Sequence, residues 1–179
     1  TDGAITLNDT TVALSGDATD LAVALAGTIN HTGAVTVTDS DYTVAELTAI
    51  AGGTRGSIKL NDTTVALSGE ATDLQTIFGE TITAHTGAVT VTDSAYTVAE
   101  LKIIAGGTSG SIKLNDTTVA LSGDATDLAV ALAGTIDHAG AVTITTDSDY
   151  TLAELKTINN GTDGAITLND TTVALSGDA

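Results

Sequence analysis

The chain has 179 residues, of which 23 are acidic and 5 basic, so its net charge is −18 and its pI is near 4.1. This charge makes nucleic acid and anionic membrane surfaces poor partners, and no apolar run approaches the roughly 18 residues of a membrane-spanning helix. With 42% hydrophobic residues and a mean hydropathy of +0.27, the chain is too apolar for a disordered acidic tail and is expected to fold. The lack of Cys excludes a disulfide framework and a thiolate site.

Two motifs repeat along the chain with a period of 53 or 54 residues. The motif NDTTVALSG starts four times, at Asn8, Asn61, Asn115 and Asn169. The motif GAVTVTDS, or its variant GAVTITTDS, starts three times, at Gly33, Gly87 and Gly140. Such a period indicates a repeat array rather than separate domains. We expect one array over residues 1–179, with repeats at about 3–55, 56–109 and 110–163 and a partial repeat over 164–179.

Each period contains two units, and each unit predicts a strand followed by a helix. In the first unit Ile5 and Leu7 alternate with Thr6 and Asn8, which is the period of two of a half-buried strand, and seven such strands are predicted. Threonine followed by glutamate three residues later predicts a helix capping box at Thr43 with Glu46, Thr97 with Glu100, and Thr151 with Glu154.

In the longer units the candidate N-caps of the helices are Ser15, Ser68 and Ser122. Each helix of the chain is expected to end at a glycine in the left-handed conformation, and these glycines are Gly27, Gly52, Gly79, Gly106, Gly134 and Gly161.

One strand and one helix in 23 to 30 residues resembles the leucine-rich-repeat plan, in which every coil adds a parallel strand to a sheet backed by helices. We therefore predict an α/β fold, a repeat solenoid with one strand and one helix in each coil. The alternative is an all-β solenoid, in which residues 12–16 form a second strand in the long coil and the helices are shorter.

The first 18 residues are identical to the last 18, and neither end carries a polar capping repeat. Solenoids need such caps to cover the exposed core of their terminal repeats. We therefore expect a segment of a longer array or of a growing fibre. Its partners would be neighbouring repeats or copies of itself.

An aspartate ends each predicted strand, so an in-register stack would place these carboxylates in one column. The column consists of Asp9, Asp39, Asp62, Asp93, Asp116, Asp147 and Asp170. Like charges 4.8 Å apart repel by about 0.9 kcal/mol in water. Ca²⁺, which takes six to eight oxygen ligands, is the candidate cofactor that would relieve this repulsion. Alternatively, each carboxylate accepts hydrogen bonds from turn N–H groups and caps the following segment.

Threonine and asparagine dominate the opposite, solvent-facing parity of the strands. The segments 36–38 and 90–92, both Thr-Val-Thr, resemble the ice-binding face of β-solenoid antifreeze proteins. Lys59 and Lys113 interrupt these rows, and threonine is also an ordinary residue for an exposed strand face. Binding of ice or a polysaccharide is therefore kept as an alternative function.

The remaining polar residues do not predict an active site. His31, His85 and His138 occupy equivalent positions two coils apart, so they are expected to be satisfied loop histidines rather than ligands of one metal. Nearly every polar residue has a copy one period away, whereas an active site is a single constellation. Aromatic residues make up 2% of the chain, too few for a stacking platform. We expect neither an enzyme nor a small-molecule substrate.

The helix pattern TVAELKxI and the strand pattern GAVTVTD are similar to repeats of very large bacterial surface proteins, notably those of cyanobacteria and marine bacteria. This resemblance implies a structural segment outside the cell or at its surface, acting as a stalk, adhesin spacer or fibre, with calcium as a further stabilising ligand. The alternatives are a binding module, which uses the aspartate column or the threonine face, and a self-assembling filament subunit.

Overall fold

The computed structural model describes residues 6–26, 30–134, 136–145 and 149–175, and in these ranges short strands alternate with helices. The strands are β1 (Leu14–Gly16), β2 (Val35–Val37), β3 (Ile58–Leu60), β4 (Leu67–Gly69), β5 (Val89–Val91), β6 (Ile112–Leu114), β7 (Leu121–Gly123), β8 (Val142–Ile144) and β9 (Ile166–Leu168). The helices are α1 (Ala18–Leu25), α2 (Val44–Gly53), α3 (Ala71–Gly79), α4 (Val98–Gly107), α5 (Ala125–Ala131) and α6 (Leu152–Gly161). The predicted α/β class is confirmed, and the helices exclude the all-β alternative. The second strand that this alternative placed at residues 12–16 is nevertheless present, as β1, so the prediction of a single strand in each long coil is wrong.

The strands form parallel sheets of three, in the orders β1-β2-β3, β4-β5-β6 and β7-β8-β9. Each central strand, V-T-V or V-T-I, lies between an L-S-G strand and an I-x-L strand. Val35, for example, is in register with Leu14 on one side and Ile58 on the other. Parallel neighbours need a crossover connection, and a helix supplies it within each sheet. The loop 61–66 then leads from β3 to the next sheet without a helix.

The structure corrects the predicted stacking of the strands. Residues 3–9 align in sequence with 33–39, which predicts that the I-T-L segment lies beside V-T-V, but the L-S-G strand β1 occupies that position instead. The I-x-L strand pairs with the V-T-V strand that precedes it in the chain, as β3 pairs with β2. The L-S-G strand pairs with the V-T-V strand that follows it, as β4 pairs with β5. The loop between these two strands carries the chain further along the strand direction. Six of the seven predicted strands are present in the described residues, and the first includes Ile5, which lies outside them.

The helix starts confirm the capping boxes and correct the serine caps. Glu46 Oε2 accepts from the backbone N–H of Thr43 at 2.9 Å, while Thr43 Oγ1 accepts from the N–H of Glu46 at 3.3 Å. The boxes at Thr97 and Thr151 form in the same way. Ser15 lies within β1, because the L-S-G strand extends past it, and the N-cap of α1 is Asp17. Ser68 and Ser122 likewise lie in β4 and β7, and the N-caps there are Glu70 and Asp124.

The core lies between the helices and the inward sides of the sheets. Val35 and Val37 are fully buried on either side of Thr36, as the alternation of strand side chains requires. The helices contribute one leucine per first turn, such as Leu47, and each helix packs against the next along the chain. Each buried side chain of this size contributes roughly 1.5–3 kcal/mol of hydrophobic stabilisation.

The predicted left-handed geometry is absent at Gly52, Gly79, Gly106 and Gly161, and two glycines at helix ends, Gly53 and Gly161, serve close approach instead. Among the described residues only Gly134 has a positive φ, 91°, and Gly27 lies outside the described residues. Gly53, the last residue of α2, is followed by an extended Thr54, and a Cβ on Gly53 would overlap the carbonyl oxygen of Leu25. Gly161 has the same relation to Leu132. These two glycines allow the end of one helix to contact the backbone at the end of the preceding helix.

Two adjacent glycines of α2 provide a test of this close approach. Gly53→Ala should lower the free energy of unfolding by roughly 1–3 kcal/mol, because the backbone at Leu25 cannot move aside. Gly52→Ala is the matched control, since a Cβ there meets no atom within 4 Å, and it should raise stability by up to about 1 kcal/mol through helix propensity. Denaturant unfolding of both variants measures the difference. Equal midpoints would contradict the tight packing at Gly53.

Candidate functional site

Each histidine joins three successive backbone segments. The Nε2–H of His31 donates to the carbonyl oxygen of Val12 at 2.8 Å, and Nδ1 lies 3.0 Å from Thr54 Oγ1. A carbonyl oxygen only accepts, so Nε2 carries a proton, and Nδ1 is paired with the Thr54 hydroxyl. Thr54 Oγ1 also accepts from the backbone N–H of Gly56 at 3.0 Å. The ring therefore links the segment before it to the segment after it.

The same bridge forms once in every period. Nε2 lies 2.8 Å from the carbonyl oxygen of Val65 at His85 and of Val119 at His138, while Nδ1 lies 3.2 Å from Thr108 and 2.9 Å from Thr162. All three rings are buried. The prediction of satisfied histidines is confirmed. The threonine partner was missed, although the repeated T-x-G after the second helix of each period marks it at residues 54, 108 and 162.

Burial favours the neutral form of the His85 ring. Loss of solvent lowers the pKa of the His85 ring below its ordinary value, and the hydrogen bond to the Val65 carbonyl opposes this only in part. The His85 ring is therefore neutral at pH 7, which leaves Nδ1 free to accept from the Thr108 hydroxyl.

The aspartates of the N-D-T-T motif close tight turns. Asp9 Oδ1 accepts from the Thr11 hydroxyl at 2.7 Å and from the Thr11 backbone N–H at 2.9 Å. The same pair of bonds forms at the equivalent aspartates, Asp62, Asp116 and Asp170. The hydroxyl bond first, and then the backbone bond, lowers the pKa of all four carboxyl groups below its ordinary value. These hydrogen bonds agree with the alternative interpretation of the sequence, in which each carboxylate accepts from the N–H groups of a turn.

The aspartates after the V-T-V strands cap a helix of the preceding coil. Asp39 Oδ1 accepts from the backbone N–H of Ala18, the first residue of α1, at 3.0 Å, and Asp93 caps Ala71 of α3 at 3.1 Å. The first N–H groups of a helix have no partner within the helix, and a carboxylate there also interacts favourably with the helix dipole. Asp147 lies outside the described residues.

The predicted aspartate column is thus divided into two sets with different partners. Gly16 is in register with Val37, so the chain beside Asp39 is the start of α1 and not the Asp9 turn. Among the described residues, no three His, Asp or Glu side chains form a group that could hold a metal ion. Calcium binding therefore stays a prediction from the sequence.

Tyrosine connects each V-T-V strand to the following turn. The Tyr42 hydroxyl donates to the carbonyl oxygen of Asp62 at 2.5 Å. The equivalent bonds run from Tyr96 to Asp116 and from Tyr150 to Asp170. Burial, with the nearby aspartate charges adding to it, raises the pKa of Tyr42 and Tyr96 to about 12. These phenols therefore stay protonated and keep donating across the physiological range.

Glutamates of the capping boxes also link neighbouring helices. Glu46 Oε1 accepts from the hydroxyl of Thr19 on α1 at 2.6 Å, while its other oxygen serves the capping box. Thr72 with Glu100 and Thr126 with Glu154 make the same link. Hydrogen bonds from Thr19 and Thr43 lower the pKa of Glu46, and those from Thr151 and Thr126 lower the pKa of Glu154.

The outward face of each sheet carries one short row of side chains. Ser15, Thr36 and Lys59 lie side by side in register in the first sheet. The second row is Ser68, Thr90 and Lys113, and the third is Ser122, Thr143 and Thr167. Threonine is therefore central in each row, but serine flanks it in every row and lysine in two.

An open groove of about 650 Å³ lies beside α4, α5 and α6, lined mainly by small side chains such as Ala105, Ala129 and Ala133. Glu154 is the one ionisable side chain among its described lining residues, and it is already bonded to Thr126 and to its own capping box. The groove brings together no acid, base and nucleophile, so its geometry does not indicate catalysis.

The histidine bridge predicts a specific loss of stability in acid. The pKa of His85 is lowered in the fold, so the unfolded chain takes up this proton more readily; the stabilisation is present above the ordinary pKa of 6.5 and is lost as the pH falls below it. We expect the free energy of unfolding to drop more for the parent than for His85→Gln between about pH 7.5 and pH 5.5, on either side of that pKa. The carboxyl groups contribute equally to the pH dependence of both proteins. If the free energy of unfolding changes equally with pH in the parent and in His85→Gln, the result would contradict a buried neutral ring.

Calcium binding is tested by thermal unfolding in EDTA and then in about 1 mM Ca²⁺, the range of weak extracellular sites. The turns and caps already supply donors to the described carboxylates, so we expect the same midpoint in both buffers. The control is the triple variant Asp39→Asn, Asp62→Asn, Asp93→Asn, because asparagine can still cap and turn without the charge. A midpoint that Ca²⁺ raises in the parent and not in this variant would show that these aspartates bind the ion.

No helix in the part of the chain that the structure describes has the length and apolar character needed to span a bilayer. Comparison of the chain with protein-family models, with curated proteins and with solved structures gives no match. The contacts between coils are therefore the basis for assigning a function.

Proposed function

We propose that this chain is a structural segment of an extracellular surface protein, a stalk or spacer built as a solenoid of stacked coils. The observation that carries the proposal is the repetition of one set of contacts between coils. The histidine bridge, the tyrosine bond to the turn and the threonine to glutamate link recur in all three periods. Contacts that repeat in this way perform the same mechanical task in each repeat.

The order of packing supports a solenoid. Consecutive helices pack on each other all along the chain, from α1 to α6, and each V-T-V or V-T-I strand pairs with the strands of the adjacent coils. A repeat in such a stack touches only its neighbours, so stability is approximately a sum of repeat and interface terms. The short coils, each with one strand and one helix, also fit the leucine-rich-repeat plan, whereas the long coils carry two strands, I-x-L and L-S-G.

The use of the polar residues supports a role without catalysis. His31, Asp39 and Glu46 each bond to a neighbouring coil, and each has an equivalent one period later. A catalytic group needs to be free to bind substrate or to exchange a proton with it. Residues tied into the packing of every repeat are better suited to holding the stack together.

The composition supports a location outside the cell. The chain has no Cys and no Met, so it offers neither a thiol nor a thioether to oxidise. A net charge of −18 keeps extended surfaces apart in solution. The resemblance of the repeats to those of large bacterial surface proteins favours the same location.

Removal of one period, residues 56–109, tests the spacer. The deletion joins Arg55 to Gly110 and recreates the local sequence of residues 55–60. We expect the shortened chain to fold and to have a longest dimension, measured by small-angle X-ray scattering, reduced by roughly 10 Å, which is two strand spacings. A shorter but folded chain is the result expected of a stalk made of equivalent repeats.

The control deletion removes half a period, residues 56–82, and joins Arg55 to Thr83. This junction breaks the alternation of the two coil types, so the variant should lose its far-UV circular dichroism signal or its cooperative unfolding. Unfolding of the whole-period variant as well would contradict an array of equivalent repeats.

A further inference from the structure

The six helices form three pairs, and the two helices of each pair are joined by a hydrogen bond between side chains. A threonine of the first helix donates to a glutamate of the second, and these links are Thr19 to Glu46, Thr72 to Glu100, and Thr126 to Glu154. In the described residues this link does not join one pair to the next. We call the contact of α2 with α3 the first joint and the contact of α4 with α5 the second joint. A complete helix pair lies on either side of each joint, so the two can be compared directly.

The two joints carry different side chains at equivalent positions. At the second joint Lys102 of α4 forms an ion pair with Asp127 of α5, and it is the one ion pair among the described residues. At the first joint, Thr48 of α2 is the equivalent of Lys102. Asp73 of α3 is the equivalent of Asp127. The first joint therefore keeps the carboxylate but lacks its cationic partner.

The hydroxyl group at the first joint has no hydrogen-bond partner. Thr48 Oγ1 is buried and makes no hydrogen bond within the part of the chain that the structure describes. Two threonines on other helices, Thr76 and Thr157, instead donate to the carbonyl oxygen four residues earlier. A buried polar group without a partner has lost its bonds to water and gained none in exchange. It therefore favours any state in which the joint separates and water reaches it.

The helix that follows the first joint also begins differently from the helix that follows the second. Asp124, the N-cap of α5, accepts from the backbone N–H of Asp127 at 2.8 Å. Glu70, the N-cap of α3, makes no such bond, as expected of a side chain that is longer by one methylene group. The first N–H of α3 is instead capped by Asp93, which comes from the coil of α4. The start of α3 is therefore held from the α4 side.

The far end of α3 is also held from the α4 side. Phe78 occupies the position that Leu25 and Leu132 have in α1 and α5. Its ring lies against Gly107 at the end of α4, where a Cβ would overlap the ring atoms. The centre of the same ring is 5.7 Å from the centre of the His85 ring. Both ends of α3 are thus tied to the coils that follow, so a separation at this helix occurs on its α2 side.

We propose that the first joint is the yield point of the stack, meaning the contact at which neighbouring coils separate first while the rest of the array stays folded. The missing ion pair and the unpaired hydroxyl lower the cost of opening there, whereas the ion pair of Lys102 with Asp127 holds the second joint closed. A stalk built in this way extends at one defined contact and closes again when the tension ends. The inference rests on the stacked-coil stalk proposed above and adds the position at which it opens.

Amide hydrogen exchange measures the opening of each joint in the intact chain. The N–H of Ile58 in β3 donates to the carbonyl oxygen of Thr81, after α3, at 2.8 Å, so this bond crosses the first joint. Ile112 forms the equivalent bridge, to Ile136, across the second joint. The N–H of Val35 is bonded within the first sheet and is the reference for a general loosening of that sheet. Where exchange reports the equilibrium of opening, Ile58 should exchange roughly fivefold or more faster than either Ile112 or Val35.

Substitutions that interchange the two joints test the cause of the difference. Thr48→Lys places a cation opposite Asp73 and should slow exchange at Ile58 by up to about fivefold at low salt. Lys102→Thr should speed exchange at Ile112 by a similar factor. Thr48→Val removes the unpaired hydroxyl at nearly the same volume, and it should slow exchange at Ile58 roughly fivefold or more at any salt concentration.

Ala45→Lys is the matched control, because it adds the same charge at an exposed position of α2 and should leave exchange at Ile58 unchanged. The yield point is refuted if Ile58 exchanges no faster than Ile112 in the parent, or if Thr48→Val does not slow exchange at Ile58. Either result leaves the period-deletion test of the stalk unaffected. Unfolding in that test would refute the stalk even if the two joints exchange at different rates.

Discussion

A buried histidine that spans three successive backbone segments holds the coils at a fixed separation, and the other contacts depend on that separation. His31 reaches back to the carbonyl of Val12 and forward to the hydroxyl of Thr54. Beside it the backbone turns are so close that a Cβ on Gly56 would overlap the carbonyl group of Gly33. Only glycine fits such a close approach of two backbones. The histidine bridge and the glycine turn together therefore set the register in which the next strand pairs.

Two different spacings have to be accommodated in this fold. Parallel strands lie about 4.8 Å apart, whereas packed helices lie 8–10 Å apart. A helix for every strand therefore cannot stack on a flat, continuous sheet. The chain ends each sheet after three strands and moves along the strand direction through a loop such as 61–66 before it starts the next. The helices continue in one row, and glycines such as Gly53 bring them as close as backbone contact allows.

The sequence predicts local features of this fold well and long-range ones poorly. The capping box of Thr43 and Glu46 was predictable because both partners lie within one turn. The partner of β2 was not, because two strands of the same period, I-x-L and L-S-G, can both pair with V-T-V, and the loop between them decides which does. Ser15 looked like a helix cap for the same reason, since its place in β1 depends on pairing with Thr36. The prediction of a single aspartate column is wrong for the same reason. Because β1 lies beside β2, the Asp39 carboxylate contacts the N-terminus of α1.

The acidic charge of the chain is compatible with this packing because many carboxylates lie where the backbone presents unpaired N–H groups. Asp9 accepts from a turn, Asp39 from the start of a helix, and Glu46 from the N-cap residue of its own helix. Hydrogen bonds of this kind stabilise the ionised form, so the pKa values of Asp9 and Glu46 are lowered and these groups stay charged into mild acid. The coils are therefore held together by bonds that keep the surface negative.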